Sequence, residues 1–240
     1  MTGSRGSAAS ALRPGTRSRV ASVSRPVLVA VAVLLATFGL VLLLVEAAWR
    51  PLAGADTGLR DGLYRYALRH PGFVTGMKVV SNVGSSSVYL VLFAVVVGWM
   101  LWRRRYRLAV YVVVTVVGSS LLNNAVKIGV HRARPVLPHP VAHANGMSFP
   151  SGHAQAAMVT CAVLLLVVIL PRLRRPWSVL AAAGCGLMVL AIGFSRIALG
   201  VHYLSDVVAG YLLGAAWVTA MTAAFGAVRI ARDARSMRPG

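Results

Sequence analysis

The chain places Lys127 seven residues before Arg134 and Pro135, then a Pro150-Ser151-Gly152-His153 run, then Ser195-Arg196 followed by His202 and Asp206. These stretches hold three cations, two histidines and a carboxylate, a full set for breaking a phosphate ester through a covalent intermediate. Lys127, Arg134 and Arg196 would surround the phosphoryl oxygens, where each charge at about 4 Å is worth about 4 kcal/mol at an effective dielectric near 20, before desolvation is subtracted. Several such effects must combine, because enzymes accelerate phosphate monoester hydrolysis by up to about 10²¹-fold. Ser151 after Pro150 reads as a helix cap that leaves the N–H groups of Gly152 and His153 open to an anion, and Gly152 lets that anion approach the backbone. Singly, each stretch is a common accident. In this order and spacing they are specific.

The three stretches resemble the signature of the type 2 phosphatidic acid phosphatase superfamily, K-x6-R-P, P-S-G-H and S-R-x5-H-x3-D, over roughly residues 70–228. The resemblance implies that His202 is the nucleophile and takes the phosphoryl group as a phosphohistidine. Asp206, one helical turn on, would accept a hydrogen bond from the other ring nitrogen, hold the tautomer and stabilise the imidazolium. His153 would protonate the leaving oxygen and then activate water. Lys127, Arg134, Ser151, Gly152 and Arg196 would bind the phosphate. The implied substrate is a lipid phosphate or pyrophosphate, such as polyprenyl pyrophosphate, phosphatidate or phosphatidylglycerol phosphate. A non-catalytic lipid-phosphate-binding or transport protein could keep such a pocket, but would not need the nucleophile, acid and orienting carboxylate together. Vanadium-dependent haloperoxidases share the pocket but are soluble.

Those residues need elements to hold them, and composition says which kind. A 240-residue chain that is 58% hydrophobic with only five acidic residues, its apolar residues in long runs, is a polytopic membrane protein. Apolar runs at 26–47, 85–102, 108–126, 154–170, 178–194 and 207–230 are near the roughly 17 to 25 residues that cross a bilayer as a helix. The expected fold is all-α, with six transmembrane helices. The first run exceeds the about 7 to 15 residues of a signal-peptide core and is read as a retained anchor, although Ala53-Gly54-Ala55 imitates a cleavage site. At 56–70, Leu59, Leu63 and Tyr66 share a helical face flanked by Arg65 and Arg69, which predicts a short interfacial helix or a structured loop before the second span. Basic tails without folded structure are expected at 1–25 and 231–240, on either side of a six-helix domain at 26–230.

The net charge of +20 is distributed as a membrane protein distributes it. With the N-terminus cytoplasmic, the inner segments hold Arg5, Arg13, Arg17, Arg19 and Arg25, then Arg103, Arg104, Arg105 and Arg107, then Arg172, Arg174 and Arg175, then Arg229, Arg232, Arg235 and Arg238. This excess follows the positive-inside rule and anchors loops to anionic head groups, so no nucleic-acid partner is expected. Both termini would be cytoplasmic in a multi-pass cell-membrane protein. Lys127, His153, Arg196, His202 and Asp206 would then all lie at span ends on the outer face. All six histidines would lie outside too, with His131, His139 and His143 matching no motif position.

Residues four apart share a helical face, and Thr115, Ser119, Asn123 and Lys127 make one small and polar stripe; His153, Ala157 and Cys161 make a second. Asp206, Gly210 and Gly214 make a third, which serves either a homodimer contact or, as preferred here because Asp206 must face inward, packing within one chain. A monomer or weak homodimer is the expectation. No cofactor is expected, and no metal, since carboxylates are few and no Cys or His cluster has zinc spacing. Cys161 and Cys185 fall inside spans and read as packing residues.

Overall fold

The computed structural model describes residues 25–226. The two expected tails, apart from Arg25, and the end of the sixth span beyond residue 226 lie outside the described residues. All regular structure among the described residues is helical: α1 Arg25–Glu46, α2 Arg50–Arg69, α3 Pro71–Val83, α4 Ser86–Trp102, α5 Tyr106–Val130, α6 Gly152–Leu164, α7 Arg175–Ala198 and α8 Leu204–Phe225. A π-helical stretch, Leu165–Ile169, extends α6. Six helical segments are long and apolar enough to cross a membrane, and they begin with α1, α3, α5, α6, α7 and α8.

Local chemistry explains the breaks. Prolines at the first turns of α2, α3 and α7 occupy positions whose N–H has no helical partner. The second crossing differs from the expectation: the sequence places it at 85–102, whereas the structure runs from Pro71 to Trp102 with an interruption between α3 and α4. The polar run Ser81-Asn82 and Gly84-Ser85 lowers the hydropathy there, and Ser85 restarts the helix by accepting a hydrogen bond from the Val88 N–H at 3.4 Å.

The helix expected at 56–70 exists but starts at Arg50. Asp56 and Ala67 are buried, and Leu63 packs with Ala154, Ile197 and Val207. Leu59 and Tyr66 are exposed. The helix packs across α7 and α8, so its polar Asp56 is drawn inward by partners that amphipathic counting could not see.

α8 is the central helix, lying against α1 and α6 and touching α2, α5 and α7 as well. Its small-residue stripe makes this possible. A Cβ on Gly210 would sit 2.6 Å from the Ser151 carbonyl oxygen, and one on Gly214 would sit 3.1 Å from that of Gln155. Both glycines therefore serve α6–α8 packing within one chain, the preferred of the two readings of the stripe. Above it, Phe38 of α1 meets Phe149 of the loop before α6, with ring centroids 5.9 Å apart. That contact and the α6–α8 packing fix the start of α6 beside the start of α8.

Candidate active site

The polar end of this bundle is assembled by one long connection. α5 ends at His131, whose φ of 52° lies in the left-handed region and turns the chain out of the helix. The connection folds back on α5: the Ser148 N–H bonds the Arg132 carbonyl at 2.8 Å, and Lys127 Nζ donates to the Met147 carbonyl at 2.7 Å. Arg134 fastens the same loop from the other side, through Nε to Gly146 O at 2.9 Å and Nη2 to Asn145 O at 3.1 Å. Its Nη1 crosses to the α7–α8 turn, donating to Val201 O at 2.8 Å and lying 3.0 Å from His202 Nε2.

His202 is 1% exposed. A guanidinium can only donate, so Arg134 marks Nε2 as the acceptor nitrogen and puts the ring proton on Nδ1. Nδ1 faces Asp206 Oδ2 at 3.4 Å and Ser148 Oγ at 3.5 Å. Burial holds the His202 imidazole down at about 4, with the charges of Arg134 and Arg196 adding to the effect against the opposing pull of Asp206. The ring is therefore neutral at pH 7, with an unprotonated nitrogen turned to the cations.

Asp206 reaches this position because it is the third residue of α8, where its carboxylate accepts the Tyr203 N–H at 2.9 Å in a capping box. Ser148 Oγ donates to the same oxygen through a short contact, and Arg132 Nη1 donates to the other oxygen at 2.6 Å. The carboxylate is thus held on every side.

Ser151 caps α6, its Oγ accepting from the Ala154 N–H at 3.5 Å, and its own N–H bonds the Asp206 carbonyl at 2.9 Å. The Gly152 and His153 N–H groups belong to the open first turn, where an anion is favoured. The His153 side chain is half-buried, and the charges of Arg196, Arg134 and Lys127 and the ring of His202 all act on it electrostatically. Arg196 ends α7, 8% exposed, with Nη1 on Ser81 Oγ at 2.6 Å and a buried Nε that has no partner. An unpartnered buried guanidinium N–H is a donor that an anion would satisfy. Ser195, by contrast, turns into its own helix and donates to Ile192 O at 2.6 Å.

Lys127, Gly152 and His153 also line one end of a cavity of ≈ 750 Å³ between α4, α5 and α6. Asn123, Asn124, Ser119 and Ser120 continue its wall, which becomes apolar at Val116, Val112, Val97 and Phe93. Arg134, Arg196 and His202 are not in that wall.

The structure thus brings the sequence-predicted residues Lys127, Arg134, Ser151, Gly152, His153, Arg196, His202 and Asp206 to one end of the bundle. His139 is elsewhere employed, its backbone bonded to Tyr64 Oη of α2 at 3.0 Å. Sequence reasoning missed Arg132, Ser148, Ser205 and Asp56. Arg132 and Ser148 each sit two residues from a motif position, but no spacing rule gave them a partner. Asp56 carried a faint signal as one of five acidic residues in the chain.

Fold and site together define a helical membrane protein with cations gathered around a buried, carboxylate-paired histidine. The PAP2 superfamily pattern matches residues 108–230, and phosphatidylglycerophosphatase B of Bacillus subtilis is 30% identical over 149 residues, covering 61% of this chain and 72% of that protein. The chain belongs to the PAP2 superfamily. Lipid A 1-phosphatase of Rhizobium etli is 35% identical over 122 residues, 47% of this chain and 48% of that protein, so this chain spans about half its length. The crystal structure of a transmembrane PAP2-type phosphatidylglycerolphosphate phosphatase from Bacillus subtilis superposes with a TM-score of 0.69 at 23% identity, covering 80% of this chain and 94% of that one. At that identity the likeness concerns the fold.

Proposed function

We propose that the protein is a membrane lipid phosphatase that removes the terminal phosphoryl group of a lipid phosphate or pyrophosphate through a phosphohistidine at His202. The observation that carries the mechanism is the His202 ring, with Nδ1 on Asp206 and an unprotonated Nε2 facing Arg134. The relatives that act on phosphatidylglycerol phosphate and lipid A support a phosphorylated lipid as substrate.

Arg134 shifts its donor from Nε2 to the incoming phosphoryl oxygens and joins Arg196 and Lys127 around them. The Gly152 and His153 N–H groups bind from the α6 side. The Nε2 lone pair then attacks phosphorus while the bond to the lipid oxygen breaks, and His153 gives that oxygen its proton. The ring now carries positive charge, which Asp206 stabilises through Nδ1–H. In the second step His153 takes a proton from water, the hydroxide attacks phosphorus, and the P–N bond breaks to release phosphate and restore neutral His202.

The cavity beside His153 and Lys127 suits the lipid side of the substrate, since its wall passes from amides and hydroxyls to valines and Phe93 over its length. Polyprenyl pyrophosphate, phosphatidate and phosphatidylglycerol phosphate all combine such a chain with a terminal phosphoryl group. The basic clusters at 103–107 and 172–175 favour a cytoplasmic side opposite the site, which puts both termini inside and the chemistry at the outer leaflet. Because Gly210 and Gly214 are already used within the chain, a monomer or weak homodimer suffices. The test is release of inorganic phosphate by purified protein in detergent from these lipids, with and without excess chelator. Turnover that survives the chelator is expected; absence of release from every lipid would overturn the reading.

A further inference from the structure

We infer that Asp56 and Arg132 are positioning residues for the Asp206–His202 pair, and that through them α2 is a working part of the site. The inference rests on the phosphatase reading above. It starts from a second charge cluster behind the phosphate pocket, built from three separate elements: α2, the long connection after α5, and the start of α8.

Arg132 is the link. Its Nη1 donates to Asp206 Oδ1 at 2.6 Å and to Ser205 Oγ at 2.7 Å, while its Nη2 donates to Asp56 Oδ2 at 2.8 Å. The guanidinium plane lies over the Tyr203 ring, 4.3 Å from its centroid. Asp56, 1% exposed, is fully engaged in return: Oδ1 accepts the Ser205 N–H at 2.9 Å, and Oδ2 accepts Ser205 Oγ at 2.5 Å as well as Arg132. A carboxylate from α2 therefore supplies a bond that the first turn of α8 cannot make for itself.

The arrangement divides labour between the two Asp206 oxygens. Oδ2 serves the histidine side, taking Ser148, the Tyr203 N–H and His202, while Oδ1 is held by Arg132 alone among its side-chain partners. Arg132 is itself balanced between two carboxylates. Without the Asp56 charge, the guanidinium would be drawn wholly to Asp206 and would compete with His202 for it at the step where the ring becomes positive. Arg132 belongs to no phosphate motif position and is absent from the cavity wall, and its two outer nitrogens already have carboxylate partners. It therefore acts on Asp206 and not on the phosphoryl group, which distinguishes it from Arg134 two residues later.

Asp56→Asn keeps the shape and removes the charge. Steady-state kinetics in detergent should show kcat falling roughly 10- to 100-fold, a common cost of losing a group that orients a catalytic ligand, with KM changed less than about twofold. In an Asp206→Asn background the same substitution should cost almost nothing further, since its route is already cut. Arg132→Lys, which keeps one cation but not the fork, should show the same split of kcat against KM and covers the case in which Asp56→Asn does not fold. A raised KM with unchanged kcat would make the cluster a substrate site. Full additivity with Asp206→Asn, or a lowered melting temperature with unchanged kcat, would make it an unrelated brace. Any of these overturns the inference. If wild-type protein releases no phosphate, it is the phosphatase reading that falls; if wild type is active and these variants behave otherwise, only this inference does.

Discussion

Arg134 Nη1 lies 3.0 Å from His202 Nε2, so the guanidinium is bonded to the nitrogen proposed to attack phosphorus. The contact fixes the tautomer and, in the proposed mechanism, keeps the cation close to the phosphoryl oxygens. Arg134→Ala should lower kcat/KM by about 10²- to 10³-fold, the usual scale for removing one preorganised donor. It should also weaken inhibition by vanadate, which is expected to bind the same pocket as a mimic of the pentacoordinate phosphoryl group. Vanadate titration of the two proteins checks this; equal inhibition would place Arg134 outside the phosphate shell.

His202→Ala and His153→Ala should each abolish turnover in protein that still purifies folded, one lacking the proposed nucleophile and the other the proposed acid and base. Asp206→Asn should retain the fold and reduce kcat by about 10³- to 10⁴-fold, because an amide can orient the ring but cannot balance its charge. Radiolabelled substrate and acid-labile phosphoenzyme make the decisive measurement. Near-normal activity in His202→Ala would rule out the covalent route.

The buried state of His202 has a pH signature. Its folded value near 4 lies below the ordinary 6.5, so the unfolded chain binds a proton there first as the solution is acidified. Its contribution to stability is therefore present above about 6.5 and is lost as pH falls toward about 4. Melting temperatures of wild type and His202→Gln should converge or cross over that window, with wild type falling more steeply. Parallel curves would mean that the ring is not held neutral.

Gly210 and Gly184 should respond oppositely to a methyl group. At Gly210 the added carbon would meet the Ser151 carbonyl at 2.6 Å, backbone that cannot yield without moving the α6 cap; at Gly184 nothing lies within 4 Å. Gly210→Ala should lower both melting temperature and activity, while Gly184→Ala should leave activity intact and be neutral or stabilising, since alanine is the better helix former. Equal tolerance at both positions would contradict the close α6–α8 contact.

Sidedness is tested by labelling in intact cells. In a Cys161→Ser, Cys185→Ser background, a cysteine replacing the exposed His143 should react with a membrane-impermeant thiol reagent, and one replacing the exposed Arg174 should react only after lysis. The reverse pattern would put the chemistry on the cytoplasmic leaflet.

Much of this protein is local and was legible without coordinates. Spans are read from runs of apolar residues because lipid demands that each helix satisfy its own backbone, and the inward stripe Asp206-Gly210-Gly214 follows from helical period alone. The motif residues could be named because their types and order resemble the superfamily signature. The partnership of His202 and Asp206 is also local, one turn apart across the start of α8.

What the sequence could not contain is the meeting of distant segments. Arg134 reaches His202 across 68 positions, Arg196 reaches Ser81 across 115, and Asp56 reaches Ser205 across 149. Each is a polar contact whose partners share no helix, so no periodicity links them. The same reason left Asp56 out of the amphipathic reading of α2, because a carboxylate turns inward only when a guanidinium and a helix start from elsewhere are there to receive it. The motif groups were written in short-range pattern; their orientation was decided by packing.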